Sequence, residues 1–267
     1  MAFYRCTFHS IVLGRPMNFT MLLPDPIEYK MCPDGKARPS KYLEQKPKFK
    51  TVYWLHGKGE NEWDTLLRSA NIIDFAEKKQ IAVVFPSSEG CQFVNGVTWD
   101  IADHIGKELV PVTRKLFPLS DRREDTYVAG ISMGGYGALH TLFQFPELFC
   151  EGASLSGIVD AASRVREQRV PGHHNYLCLR NSFGETDAVE GGNDDLWCMV
   201  KRLKDEGRLP HFWLSTGTED PLYHECQRFR NFLLDNGIDF TYSECPGVHN
   251  WDLFKGHVDD VMNLWFK

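Results

Sequence analysis

Short apolar segments alternate with helical patterns along most of the chain, and this alternation restricts the fold more than any other feature. Segments 50–55, 81–85 and 126–131 are almost wholly apolar, as expected for parallel strands that are covered on both faces. Over 62–79, apolar residues recur at helical spacing. Strands and helices in alternation predict an α/β protein with a mostly parallel, doubly wound sheet and helices on both faces.

The same patterns place the remaining elements of the predicted fold. Further strands are expected at 19–23, 152–156, 212–215 and 240–243. Further helices are expected at 101–116, 133–145, 194–203, 221–236 and 251–266. In sheets of this kind, binding sites gather beyond the carboxyl ends of the strands. Candidate catalytic residues are therefore sought in the loops that follow the strands.

The chain has 267 residues and a mass of 30.7 kDa, which suits a single α/β domain over 1–267. Two segments interrupt the alternation. Residues 28–50 are rich in lysine, proline and glycine, and we expect an irregular surface insertion there. Residues 158–208 are mostly polar and longer than an ordinary connection. They are expected to form a cap or lid that is inserted within the domain.

Charge and hydropathy exclude several classes of protein. Acidic residues number 36 against 30 basic residues, and the formal charge of −6 argues against nucleic-acid binding. No apolar run approaches the roughly 18 residues that a membrane-spanning helix needs. The first ten residues show no secretory signal pattern, so a cytoplasmic protein is expected. Eight cysteines without a C-x-x-C pair indicate reduced thiols rather than a zinc or redox motif.

Residues 130–134 read Gly-Ile-Ser-Met-Gly, between a predicted buried strand and a predicted helix. They match G-x-S-x-G, a sharp strand-to-helix turn that exposes a serine nucleophile. Ser132 is then the candidate nucleophile. The glycines are needed because neighbouring chains pack close to a serine in an unfavourable backbone conformation. The alternative is a glycine-rich turn in which Ser132 only caps the helix.

A serine hydroxyl needs a base that takes its proton, and the base needs an acid that orients it. In enzymes with this turn, the acid and the histidine follow the serine in that order. The loop after segment 212–215 offers Glu219 and Asp220, and the loop after the last strand offers His249. Asp220 is the preferred acid and Glu219 is its rival. Because Asp220 precedes a proline, it is also a typical helix cap.

An oxyanion hole supplies N–H donors to the charge that develops on the substrate. One donor is expected from the backbone of Met133, the residue after the nucleophile. The second is expected from the His-Gly-Lys-Gly loop after the first parallel strand, where the backbone N–H of Lys58 is the candidate. His56 is expected to brace this loop by hydrogen bonds. Trp99 and Trp251 are candidate walls of a substrate pocket, with core packing as the alternative.

Metal and cofactor sites are not expected. His173 and His174 occur in the same segment as Asp187, Asp194 and Asp195, but adjacent histidines on a loop point apart. No pair of histidines at i and i+4 with a glutamate, as in zinc proteases, is present. The sequence also lacks the glycine patterns of phosphate and dinucleotide sites.

With these residues in place, the chain resembles the "putative esterase" family of α/β-hydrolases, which includes tributyrin esterases, feruloyl esterases and esterase D. The resemblance rests on His-Gly at 56–57, Gly-Ile-Ser-Met-Gly-Gly-Tyr-Gly-Ala-Leu at 130–139, Gly-Thr-Glu-Asp at 217–220 and Gly-Val-His-Asn-Trp at 247–251. It implies an α/β-hydrolase fold in which Ser132 is the nucleophile, His249 the general base and acid, and Asp220 the orienting acid. The implied reaction is acyl transfer to water through an acyl-enzyme, without a metal or cofactor.

The resemblance predicts a serine carboxylesterase for short-chain acyl esters, like the tributyrin esterases. The alternative is a feruloyl or acetyl esterase that acts on plant carbohydrate esters. S-formylglutathione hydrolases usually have a histidine before the nucleophile and another where Tyr136 stands, so that activity is disfavoured. An acyltransferase and a non-enzymatic binding module are further alternatives. The expected partner is a small-molecule or oligosaccharide ester. The predicted last helix, 251–266, has more than one apolar stripe, so it either packs deeply in the domain or forms the interface of a homo-oligomer.

Overall fold

A β-sheet forms the centre of the computed structural model, which describes residues 1–25, 27–42, 48–185 and 189–267. In these ranges the strands are β1 (Ala2–Ser10), β2 (Arg15–Leu23), β3 (Ile27–Met31), β4 (Ala37–Tyr42), β5 (Thr51–Leu55), β6 (Ala82–Pro86), β7 (Thr126–Ile131), β8 (Glu151–Leu155), β9 (His211–Gly217) and β10 (Thr241–Cys245). Eight of these described strands form one sheet in the order β1-β2-β6-β5-β7-β8-β9-β10.

The part of the sheet from β6 to β10 is parallel, and β2 joins it through an antiparallel pairing with β6. Every residue of β5, β6 and β7 is buried, because helices cover both faces. The predicted mostly parallel sheet is therefore confirmed.

Helices pack on both faces of this sheet. Those described are α1 (Asp64–Arg68), α2 (Ala70–Lys79), α3 (Ile101–Asp103), α4 (Val110–Leu116), α5 (Met133–Gln144), α6 (Ala161–Gln168), α7 (Tyr176–Phe183), α8 (Leu196–Asp205), α9 (Tyr223–Asp235) and α10 (Trp251–Trp265). A π-helical turn, His104–Leu109, joins α3 to α4. A 3₁₀ turn, Arg123–Asp125, precedes β7.

Successive side chains of a strand point to opposite faces, and β5 shows how this produces two cores. Tyr53 and Leu55 belong to a large apolar cluster that includes residues of α4, α5, α8 and α9. Val52 and Trp54 belong to a second cluster with α2 and α10. The carboxyl ends of the parallel strands lie between these two layers of helices, where the candidate site is found.

The amino-terminal strands differ from the sequence-based expectation. β1 was not expected, although its residues alternate between a partly buried and an exposed face, with Phe3 on the exposed one. Residues 28–50 were expected to be irregular, yet β3 and β4 pair there as a hairpin outside the main sheet. The hairpin turn contains Asp34 and Gly35, and Gly35 has a φ of 76°. Asp-Gly is a strong hairpin signal that composition alone conceals.

The helix expected over 62–79 is divided at Ser69. This residue has φ −120° and ψ 65°, outside the helical region. Its hydroxyl donates to Oδ1 of Asn71 at 2.7 Å, and Nδ2 of Asn71 donates to Asp259 on α10 at 2.8 Å. Short polar side chains that bond locally compete with the helix, and here they separate α1 from α2.

The segment 158–208 has two parts. The helix expected near 194–203 is present as α8, which packs on α5 and is held by a hydrogen bond from Nε1 of Trp197 to the carbonyl of Val159 at 2.9 Å. Helices α6 and α7 were not expected, and they contact each other near the candidate site. The cap role of this segment stays a prediction for α6 and α7, whereas α8 belongs to the helical layer.

Among the described residues, no helix is long and apolar enough to cross a bilayer. All eight cysteines are free thiols.

Candidate active site

Ser132 lies at the sharp turn between β7 and α5. Its φ of 55° and ψ of −116° are strained for a residue with a side chain. The turn is held by its backbone, because the N–H of Ser132 donates to Leu155 on β8 at 2.9 Å and its carbonyl accepts the N–H of Gly135 at 3.0 Å. This conformation places the hydroxyl at the carboxyl end of the central strand.

The two glycines around Ser132 are required by the close approach of three backbone segments. A Cβ atom on Gly130 would lie 2.1 Å from the carbonyl oxygen of Gly134. A Cβ atom on Gly134 would lie 2.1 Å from the carbonyl oxygen of Leu55 at the end of β5. Both distances are far shorter than van der Waals contact. The G-x-S-x-G pattern therefore has a direct steric cause in this chain.

His249 links Ser132 to Asp220. Nε2 of His249 lies 2.9 Å from Oγ of Ser132, and Nδ1 lies 2.7 Å from Oδ2 of Asp220. Because an ionised carboxylate only accepts hydrogen bonds, Nδ1 carries a proton, and this N–H donates a hydrogen bond to Asp220. Nε2 is then free to accept the proton of the serine hydroxyl. The arrangement can generate a serine nucleophile.

The two candidate acids have different surroundings. The side chain of Asp220 is fully buried, and its second oxygen accepts the N–H of Leu222 at 2.7 Å. Asp220 thus faces the histidine and also holds the turn that follows it. The alternative role as a helix cap is not observed, because α9 begins at Tyr223 with Leu222 at the N-cap and without a side-chain capping bond. Glu219 is exposed and accepts the N–H of Gly247. It braces the loop that carries His249 and does not contact the imidazole.

The loop after β5 has one backbone N–H that is engaged and one that is not. The N–H of Gly57 donates to Oε2 of Glu60 at 3.1 Å. Among the hydrogen bonds of the described residues, none has the N–H of Lys58 or of Met133 as donor. Met133 is the first residue of α5, so its N–H has no partner within the helix. Both residues line the same cavity as Ser132. They are therefore suitable oxyanion donors.

His56 braces this loop. Nδ1 of His56 donates to the carbonyl of Gly57 at 2.8 Å, and Nε2 accepts the N–H of Ser88 at 3.2 Å. Burial lowers the pKa of His56 to about 4, so the imidazole stays neutral at physiological pH. With both nitrogens occupied, it holds two loops together and has no free site for proton transfer.

A cavity of about 400 Å³ opens over Ser132. Within the described chain it is lined by residues from the strand-end loops and from the segment 158–208: Gly57, Lys58, Glu60, Gln92, Ile131, Ser132, Met133, Ile158, Arg164, Gln168, His174, Asn175, Leu179, Pro221, Leu222, His249 and Phe254. A volume of this size suits a small organic ligand.

The two tryptophans considered as pocket walls lie elsewhere. Trp251 donates from Nε1 to Oε1 of Glu60 at 3.1 Å and packs edge-on against Phe254, so it stands behind two lining residues. The guanidinium of Arg15 lies 5.1 Å from the ring centroid of Trp99. Neither tryptophan is among the described residues that line the cavity. Their substrate-binding role stays a prediction without a contact to support it.

Sequence reasoning missed several lining residues. Glu60 stabilises the loop that presents Lys58, and Arg164, Gln168 and Asn175 also line the cavity. No spacing rule marks them, because they become neighbours only when the segment 158–208 folds over the strand ends.

A metal centre was also considered at the histidine pair. The expectation that His173 and His174 point apart is wrong, because their ring centroids lie 4.3 Å apart; Nδ1 of His173 accepts the N–H of Asn175 at 3.1 Å. In the part of the chain that the structure describes, no group of three metal-ligating side chains occurs. Asp187, which was considered with them, lies outside the described residues.

Comparisons with known proteins agree with this geometry. The "putative esterase" family profile matches residues 35–261. An acetyl esterase of Caldicellulosiruptor saccharolyticus is 30% identical over 100% of this chain and 99% of its own length. These two matches cover the whole candidate site.

Solved structures show the same fold. A fluorophosphonate-binding serine hydrolase of Staphylococcus aureus superposes with a TM-score of 0.86 at 21% identity and covers 100% of this chain and 98% of its own. An S-formylglutathione hydrolase of Staphylococcus aureus gives a TM-score of 0.82 at 21% identity, covering 100% and 99%. A ferulic acid esterase gives 0.78 at 17% identity, covering 99% and 98%. The chain therefore has the α/β-hydrolase fold, belongs to the "putative esterase" family, and is a carboxylic ester hydrolase.

Proposed function

We propose that this chain hydrolyses short-chain acyl esters, with acetyl esters among them, through an acyl-enzyme on Ser132. The observation that carries the proposal is the hydrogen-bonded series Ser132–His249–Asp220 beneath a cavity of about 400 Å³. The similarity to an acetyl esterase supports a small acyl group.

Each residue has a role that follows from its contacts. His249 accepts the proton of Ser132 as the hydroxyl oxygen attacks the ester carbon, and Asp220 stabilises the imidazolium that forms. The backbone N–H groups of Lys58 and Met133 donate to the oxyanion. His249 then returns the proton to the leaving alcohol. In the second half of the reaction, it activates the water that releases the acid.

A second candidate is an acetyl or feruloyl esterase for carbohydrate esters. The observation that favours it is the polar part of the cavity lining, which includes Gln168, His174 and Asn175. Hydrogen-bonding side chains of this kind suit an alcohol rich in hydroxyl groups.

The test is a panel of esters with the wild-type enzyme and the Ser132→Ala variant. The panel contains p-nitrophenyl acetate to octanoate, methyl ferulate, acetylated xylo-oligosaccharides and S-formylglutathione. We expect serine-dependent kcat/KM to be highest for acetate and butyrate and to fall with longer chains. If the second candidate is correct, kcat/KM should be higher for acetylated oligosaccharides than for p-nitrophenyl acetate. Equal activity of Ser132→Ala and wild type on every ester would exclude both.

A further inference from the structure

One charged side chain that lines the cavity over Ser132 is a lysine with only uncharged hydrogen-bond partners. Three side chains with a permanent charge line it in the described chain: Lys58, Glu60 and Arg164. Two of them already have opposite charges as partners. Nη2 of Arg164 lies 3.0 Å from Oε2 of Glu225. Glu60 has Arg68 at 3.6 Å.

Lys58 differs from both. Its ammonium group donates to the carbonyl of His174 at 3.0 Å and to Oδ1 of Asn175, and both acceptors are uncharged. Among the ion pairs of the described residues, none includes Lys58, although the chain as a whole is acidic. An ammonium group has three donors, so one N–H remains after these two bonds.

The positive charge also affects its neighbour. The Lys58 ammonium lowers the pKa of His174, because a second positive charge beside it is disfavoured. Burial lowers the pKa of Lys58 itself, and no carboxylate in the cavity raises it. Lys58 is exposed and takes part in no ion pair of the described residues, so an anionic group of a bound substrate would be its first oppositely charged partner.

The position of Lys58 gives this charge a role in substrate choice. Its backbone N–H is the proposed oxyanion donor. The ammonium group is therefore no farther from this donor than the length of the lysine side chain. A substrate group that meets the ammonium must lie a few bonds from the ester carbon. We infer that Lys58, with Gln168 and Asn175, forms a subsite for an anionic group, such as a carboxylate, on the substrate ester.

This inference rests on the proposed function, because the subsite is defined relative to Ser132. The carboxylate could belong to the acyl part or to the alcohol part of the ester. Two matched substrate pairs separate these sources. 4-Nitrophenyl hemisuccinate and its methyl ester differ by a charge on the acyl side, whereas 4-acetoxybenzoate and its methyl ester differ by a charge on the alcohol side.

The test compares the ratio of kcat/KM for the charged and the neutral member of each pair. Lys58→Met removes the charge and keeps the backbone N–H, Lys58→Arg retains the charge, and Lys115→Met removes an exposed charge on α4 as a control. A hydrogen bond to a charged group predicts a fall of about tenfold in the ratio for Lys58→Met in one pair. Lys58→Arg and Lys115→Met should keep the wild-type ratio.

A purely structural link between Lys58 and the segment 158–208 predicts a different result. Lys58→Met would then lower kcat/KM equally for both members of each pair and leave the ratios unchanged. That result would overturn the inference. Binding supplies a readout that does not depend on turnover. Calorimetry with Ser132→Ala should detect succinate or 4-hydroxybenzoate, and the added Lys58→Met change should abolish that binding. Equal binding by the single and double variants, or none by either, also overturns the subsite, whereas full activity of Ser132→Ala refutes only the proposed function.

Discussion

Replacing Gly134 by alanine tests the packing of the serine turn. The new Cβ atom would lie 2.1 Å from the carbonyl oxygen of Leu55 and 2.6 Å from that of His56, whereas ordinary contact begins near 3.4 Å. Both obstacles are backbone atoms, which cannot rotate away. Overpacking of cores costs about 1–3 kcal/mol where side chains can adjust, so we expect a loss of about 3 kcal/mol or more here. For a chain of this length, this lowers Tm by roughly 6–12 °C.

Gly256→Ala is the matched control, because Gly256 is exposed within α10 and nothing lies within 4 Å of its added Cβ. Alanine is favoured over glycine in a helix by about 0.8–1 kcal/mol, so this variant should be more stable than wild type. Urea unfolding gives both free energies, and hydrolysis of p-nitrophenyl acetate follows the site. Gly134→Ala should also lose activity, because relief of the clash moves the loop that carries Lys58. A Gly134→Ala variant as stable as Gly256→Ala would refute the steric argument.

Two further predictions concern the acid of the site and a buried histidine. Asp220→Asn should lower kcat for p-nitrophenyl acetate by about 10³- to 10⁴-fold at neutral pH, because an amide does not hold His249 in the required tautomer. Glu219→Gln keeps an oxygen that accepts the N–H of Gly247, so its kcat should fall much less. A larger fall in kcat for Glu219→Gln than for Asp220→Asn would identify Glu219 as the acid. Burial lowers the pKa of His257 to about 4 from an ordinary 6.5, so the unfolded chain takes up the proton first and stability falls as pH drops from about 6.5 to 4. His257→Leu should flatten this part of the urea stability curve, whereas a change at the exposed His9 should not; an equally steep curve in both variants would contradict the assignment.

The sequence predicts the parallel part of the fold because its strands are buried on both faces and bounded by clear turns. The almost wholly apolar stretches at β5, β6 and β7 are five or six residues long, which favours strands that are covered on both faces. β1 was overlooked although apolar and polar residues alternate regularly over 4–9, which is the pattern of a strand that buries one face. The side chains of β3 are mostly exposed, so the sequence shows no apolar pattern there. Only the Asp-Gly turn indicates the hairpin of β3 and β4.

The candidate site divides in the same way. Ser132, Asp220 and His249 were found because the serine turn has a rigid motif and the other two follow strand ends in a known order. The polar lining residues from α6 and from the turn before α7 could not be found, because Arg164 and Asn175 lie on a segment whose path over the strands is set by tertiary contacts. Trp251 is near His249 in the sequence, yet its ring nitrogen donates to Glu60 and the residue is not among those that line the cavity in the described chain.

The central claim is that Ser132 becomes acylated during turnover, and one measurement tests it directly. The enzyme is mixed with excess p-nitrophenyl acetate, quenched in acid within the first turnovers, digested and analysed by mass spectrometry. We expect one acetyl group on the peptide that contains Ser132, and none on the Ser132→Ala variant, which should also fail to hydrolyse the ester. Steady hydrolysis by the wild-type enzyme without acetylation of that peptide, or undiminished hydrolysis by Ser132→Ala, would contradict the account.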